Sequence, residues 1–136
     1  MAGAHTRVEA AALVVVALGG VVGSLGRYAV GLVLPHTAGA FPWATLTVNV
    51  SGAFAMGLLV AFLVDRPGTH RLARPFLGVG VLGGWTTFSA VAVDAVQLGA
   101  ADEAPLVVAY VATTFLLGAL AVGAGTVAGQ RIWPGP

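Results

Sequence analysis

The chain contains no cysteine and no lysine, and only 8% of its 136 residues are charged. Without cysteine there is no disulfide framework, no thiol nucleophile and no thiolate metal site. With no lysine and a net charge of +1, it lacks the basic footprint that nucleic-acid binding requires. A soluble domain carries about a quarter charged residues, so the scarcity of charge itself excludes that class. Acids are missing from the first, second and fourth apolar stretches, which leaves no carboxylate pair for general acid–base chemistry or ion coupling. The three histidines, His5, His36 and His70, fall in the tail and loops. Enzymatic activity is not expected.

What remains is apolar. Hydrophobic residues make up 58% of the chain and the mean hydropathy is +0.96, which points to an all-α integral membrane protein. Four spans are expected, at about residues 10–34, 42–64, 75–98 and 105–130, forming one membrane domain. The first apolar run is too long for a signal peptide and further spans follow it. Pro35–Ala40 reads as a turn, and Asp65–Arg74 is the longest polar stretch, too short for a soluble domain. Ala101–Ala104 is a short acidic turn, and Pro105 suits the first turn of a helix. Twenty glycines, among them Gly19, Gly20, Gly23 and Gly26 and then Gly52 and Gly57, provide small surfaces on which helix backbones can approach.

The third span contains the most informative segment. Uncharged residues run from Pro75 to Val93, long enough to cross the bilayer core, yet the centre reads Gly83-Gly84-Trp85-Thr86-Thr87-Phe88-Ser89. Paired glycines and then paired threonines are poor helix formers. A break in hydrocarbon exposes backbone groups at several kcal/mol each, so breaks occur where protein, water or an ion satisfies them. Taken alone, the segment reads equally as a glycine packing notch in a continuous helix or as a break near Gly83–Thr87.

Polar residues inside the spans need partners. Arg27 in the first span either snorkels to the headgroups or offers a positive group at the mouth of an anion path. In the second span Thr45 and Asn49 share one helix face. The Asn49 amide has two N–H donors and one acceptor, suited to an interhelical hydrogen bond or to an anion. Tyr110 and Thr114 form a hydroxyl stripe on the fourth span, although threonine hydroxyls often bond back to their own helix. Asp94 is expected near the water boundary beside Asp102 and Glu103; buried, it would instead be a candidate proton-relay carboxylate.

These residues resemble the CrcB/Fluc family of fluoride channels. The resemblance is carried by Gly19-Gly20-x-x-Gly23-x-x-x-Arg27-Tyr28, by Pro42-x-x-Thr45-Leu46-x-Val48-Asn49-x-x-Gly52-x-Phe54-x-x-Gly57, by Gly80-x-x-Gly83-Gly84-x-Thr86-Thr87-Phe88-Ser89, and by Tyr110 with the small residues that follow. It implies a four-helix subunit, its third helix broken near Gly83–Thr87, that pairs antiparallel with a second one in a dual-topology dimer with two narrow pores for passive fluoride export. It also implies a structural Na⁺, not transported, held at the dimer centre by the main-chain carbonyls of Gly83 and Thr86. The implied fluoride pore is lined by Asn49, Phe88, Thr45, Tyr110 and Thr114, with Arg27 in the vestibule. One departure stands out: the family's second pore phenylalanine is Val91 here. The alternative architecture, a small dual-topology multidrug transporter subunit, would normally need a carboxylate in its first span to couple protons, and that span has none.

Arginine placement adds an expectation about orientation. An even number of spans puts Arg7, Arg66, Arg71, Arg74 and Arg131 on one side, opposite Asp102 and Glu103. Such a bias predicts both termini in the cytoplasm, in the inner (plasma) membrane. A chain of fixed orientation that lacks one pore aromatic is expected to pair with a distinct, oppositely inserted paralogue rather than with itself.

Overall fold

The computed structural model describes residues 2–37, 39–64 and 71–134. It is all helical: α1 (Ala2–Val33), α2 (Trp43–Val64), a π-helical segment (Pro75–Leu82) running into α3 (Gly83–Trp85), then α4 (Phe88–Ala100) and α5 (Ala104–Ile132). Four spans in this set are long and apolar enough to cross a bilayer: Glu9–Val33, Trp43–Leu63, Pro75–Ala100 and Ala104–Ile132. The side chain of Arg7, and Arg66 with the rest of 65–70, lie outside what is described, and so does Ala38 of the expected first turn.

Turn chemistry explains the boundaries. Gly39 has φ +84°, a left-handed conformation that glycine adopts without steric cost, and Ala40 N–H closes the turn onto Thr37 O at 3.0 Å. Between α4 and α5 the left-handed position, φ +59°, is taken by Asp102, one of the few side chains that tolerate it. Pro75 and Pro105 sit in the first turns of their helices, where the missing N–H costs nothing.

Packing divides the bundle into two pairs. α1 lies mainly against the π-helical segment and α3, and α2 lies mainly against α5. Both seams are built on glycine. A methyl group on Gly23 would run into the backbone of Val81 and Trp85, and one on Gly84 into the backbone of Gly20 and Ser24. On the other seam, Gly57 faces the backbone of Val122 and Thr126, while Gly125 faces that of Phe54. In lipid, where apolar side chains gain little by leaving the solvent, such close backbone approach is a main source of helix association.

The third span changes partners along its length. Its first half belongs to α1, while α4 packs on α5. The changeover occurs at Thr86 and Thr87, whose backbones are extended (φ −80°, ψ 161° and φ −154°, ψ 126°). The expected break is therefore present, and it is what joins the two pairs. Large apolar side chains such as Leu13, Leu18, Leu25 and Phe115 stay exposed on the outer faces, as lipid contact requires.

The glycine seams lead to a stability prediction. Gly84→Ala and Gly23→Ala are expected to destabilise the fold by about 1–3 kcal/mol each through overpacking. Gly20→Ala, whose new methyl meets nothing within 4 Å, should be neutral or mildly stabilising. Thermal unfolding of the purified protein in detergent ranks the three variants.

Candidate functional site

The break needs partners for its backbone, and Asn49 supplies them. Its Nδ2 donates to Thr87 O at 2.9 Å, and its Oδ1 accepts from Thr87 N–H at 2.8 Å. One side-chain amide thus pairs both groups of a single residue, in the manner of a neighbouring strand. The Thr87 hydroxyl then accepts from Ala90 N–H at 3.1 Å and caps α4.

These diversions free two carbonyls. In an uninterrupted helix Gly83 O would accept from Thr87 N–H, but that donor is bonded to Asn49. Thr86 O would accept from Ala90 N–H, but that donor is bonded to the Thr87 hydroxyl. Gly83 and Thr86 both line the same groove. Among the described residues no group of three His, Cys, Asp or Glu side chains could hold a metal, so a cation here would depend on main-chain oxygen.

Trp85 holds the break from the other side. Its Nε1–H donates to Ser51 Oγ at 3.0 Å, while the Ser51 hydroxyl donates to Thr47 O at 2.6 Å. The indole occupies the space that side chains at Gly26 and Gly52 would need, wedged between α1 and α2. Thr86 closes back on its own helix, its hydroxyl donating to Leu82 O at 2.9 Å.

The predicted residues fall into three groups. Asn49, Phe88, Thr114, Gly83 and Thr86 line one open groove of about 400 Å³, together with Val91 and Thr87. The Thr114 hydroxyl there is buried and makes no hydrogen bond, unlike Thr126, which bonds back to Val122 O at 2.9 Å. Phe88 is 73% exposed in the single chain. Arg27 and Thr45 line a separate cavity of about 100 Å³, and Thr87 borders both this cavity and the groove. Tyr110 is fully buried and packs edge-on against Phe41 at 5.5 Å.

Tyr110 brings in two residues that local patterning did not assign. Its hydroxyl donates to Asp94 Oδ2 at 3.0 Å. Asp94 is only 7% exposed; it lies inside the protein, not at the water boundary beside Asp102 and Glu103. Its other oxygen, Oδ1, is 3.7 Å from His36 Nε2. Asp94 lies six residues after Phe88 and three after Val91, and the three-residue step was a readable sign that Asp94 and Val91 share a face of α4. Nothing local to His36 indicated its partner. The capping role of Thr87 was signalled by a threonine just before an apolar helix.

With this geometry in place, the comparisons with known proteins are specific. Residues 14–126 match the family described as CrcB-like protein, Camphor Resistance (CrcB). The chain is 44% identical over 126 residues to fluoride-specific ion channel FluC 1 of Streptomyces coelicolor, covering 93% of this chain and 82% of that protein. It is 43% identical over 118 residues to fluoride-specific ion channel FluC of Paracoccus denitrificans, covering 87% and 94%. Two Streptomyces avermitilis proteins, FluC 2 and FluC 3, each match at 46%, over 78% and 69% of this chain.

The two-point bond at the break carries its own test. Asn49→Ala orphans both backbone groups of Thr87, at about 1–3 kcal/mol each, whereas Thr87→Val loses one cap, at about 1 kcal/mol. Backbone hydrogen exchange is expected to accelerate chiefly at Thr87 in Asn49→Ala and chiefly at Ala90 in Thr87→Val, and Thr87→Ser should exchange like the parent.

Proposed function

Because the chain belongs to the CrcB family, we propose that it is a subunit of a fluoride-specific channel that lets fluoride leave the cell passively and so relieves its toxicity. One observation carries the reading most directly: Thr114, whose buried hydroxyl has no hydrogen-bond partner, lines the same groove as Asn49 and Phe88. Fluoride holds its water tightly, and a pore must replace that water with donors of its own. Asn49 has one N–H left after binding Thr87, Thr114 has its hydroxyl proton, and the edge of the Phe88 ring is electropositive. Thr45 and Tyr110 continue the polar lining, and Arg27 supplies positive potential at the vestibule.

The carbonyls of Gly83 and Thr86 fit a structural Na⁺, since both lose their helical donors and hard cations prefer oxygen. When bound, Na⁺ would neutralise these oxygens and tie the two broken helices of a dimer together. Each chain contributes two of them, so the site is complete only with an antiparallel second subunit. That subunit is a distinct paralogue in this reading, because the arginine bias opposes insertion in both directions. The coexistence of FluC 2 and FluC 3 in Streptomyces avermitilis supports the presence of several family chains in one organism. Both termini of this chain face the cytoplasm.

Liposome assays test the parts separately. Liposomes holding the chain with its paralogue should release fluoride without a proton gradient, and should stop when Na⁺ is replaced throughout by a large organic cation. Asn49→Asp, which sets a carboxylate against Thr87 O and the anion, is expected to conduct less than Asn49→Ala. Robust efflux from the chain alone, with tags found on both membrane faces, would overturn the paired-paralogue assignment.

A further inference from the structure

We propose that His36 is a positioning residue for anion passage, acting through Asp94: protonated, it cancels the carboxylate at one end of the polar path and so promotes flux. The proposal rests on the channel reading above, and on a cluster of groups which that reading does not use.

The path can be followed along two helices. On α4, Phe88, Val91 and Asp94 follow at intervals of three residues, and on α5 Thr114 and Tyr110 are four apart. The groove is lined by Phe88, Val91 and Thr114. One turn further lie Asp94 and Tyr110, joined by the 3.0 Å hydrogen bond, and beyond them His36 stands 3.7 Å from Asp94. His36 belongs to the turn between α1 and α2, and its side chain is 25% exposed. It can therefore take a proton from water and present it to a carboxylate that water barely reaches.

The electrostatic consequence follows from the charges. An ionised Asp94 with neutral His36 leaves a negative charge, met only by the Tyr110 hydroxyl, at the end of the polar path and in a setting of low dielectric. It also keeps the Tyr110 O–H, a donor an anion would otherwise receive. An imidazolium at His36 cancels that charge and adds a donor of its own. Among the described residues His36–Asp94 is the one ion pair. α1 brings Arg27, α2 the uncharged Thr45 and α5 Tyr110, while Asp94 is the only ionisable residue of α4; Asp102 and Glu103 follow in the next turn and are both exposed. In the orientation proposed above, His36 lies at the outer face, so external acidity controls the device.

The test is fluoride efflux from liposomes holding the chain and its paralogue, read as external pH is varied over about 5 to 8, with the leak of protein-free liposomes subtracted. The expected result is flux that falls several-fold as external pH rises. His36→Gln should remain at the low level at every pH, and Asp94→Asn at a level that pH does not move. Solution NMR gives a second readout that needs no flux: the imidazole ¹⁵N shifts of His36 should change in Asp94→Asn. A His36→Gln channel that keeps the parent's pH profile, or His36 shifts that ignore Asp94→Asn, would overturn the proposal. Absence of fluoride flux at every pH, with the His36 shifts still responding to Asp94→Asn, would overturn the channel reading and this proposal with it. Flux that is merely independent of pH overturns this proposal alone.

Discussion

Two hydrogen bonds between the Asn49 amide and the backbone of Thr87 hold the third span open, and the arrangement of the bundle depends on them. In hydrocarbon an extended Thr86–Thr87 would leave N–H and C=O groups without water, at several kcal/mol each. The amide of asparagine satisfies one of each at once, which no apolar or purely acidic side chain can do. Because Thr87 N–H is bound there, the helix cannot close across the gap. The chain is then free to leave α1 and join α5.

Each neighbouring feature supports that opening. Trp85 fills the space left by Gly26 and Gly52 and is held by Ser51, so the end of α3 is fixed against both α1 and α2. Thr87 caps α4, and Gly83 and Thr86, whose carbonyls lose their helical donors, line the groove with Asn49. A break that merely relieved strain would need only the amide. Around it are collected side-chain donors, a ring edge and carbonyls that have lost their helical donors.

The bilayer also explains why so little of this protein is a hydrophobic core in the usual sense. Val91, Leu98 and Tyr110 form a small buried cluster, while much larger apolar surface points outward to lipid. Cohesion comes instead from glycine seams, where backbones touch. Interior space is thereby left for polar side chains, and those along the α4–α5 contact, Thr114, Tyr110 and Asp94, are all buried.

By itself the sequence determined what the solvent dictates locally. The four apolar stretches, the glycine-rich faces, the breaking point at Gly83–Thr87 and the polar residues that need partners all follow from the cost of putting peptide groups and charges into hydrocarbon. The motif resemblance named Asn49, Phe88 and Thr114, which line one groove. Which groups meet was decided only by tertiary structure. That Asn49 binds Thr87 depends on how α2 is rotated by its seam with α5. That Asp94 turns inward to Tyr110 and His36 depends on the partner exchange that carries α4 onto α5. Span length and hydropathy are properties of a segment, whereas helix rotation is set by contacts between residues far apart in the chain, and it is rotation that decides whether a polar side chain faces a partner or the lipid.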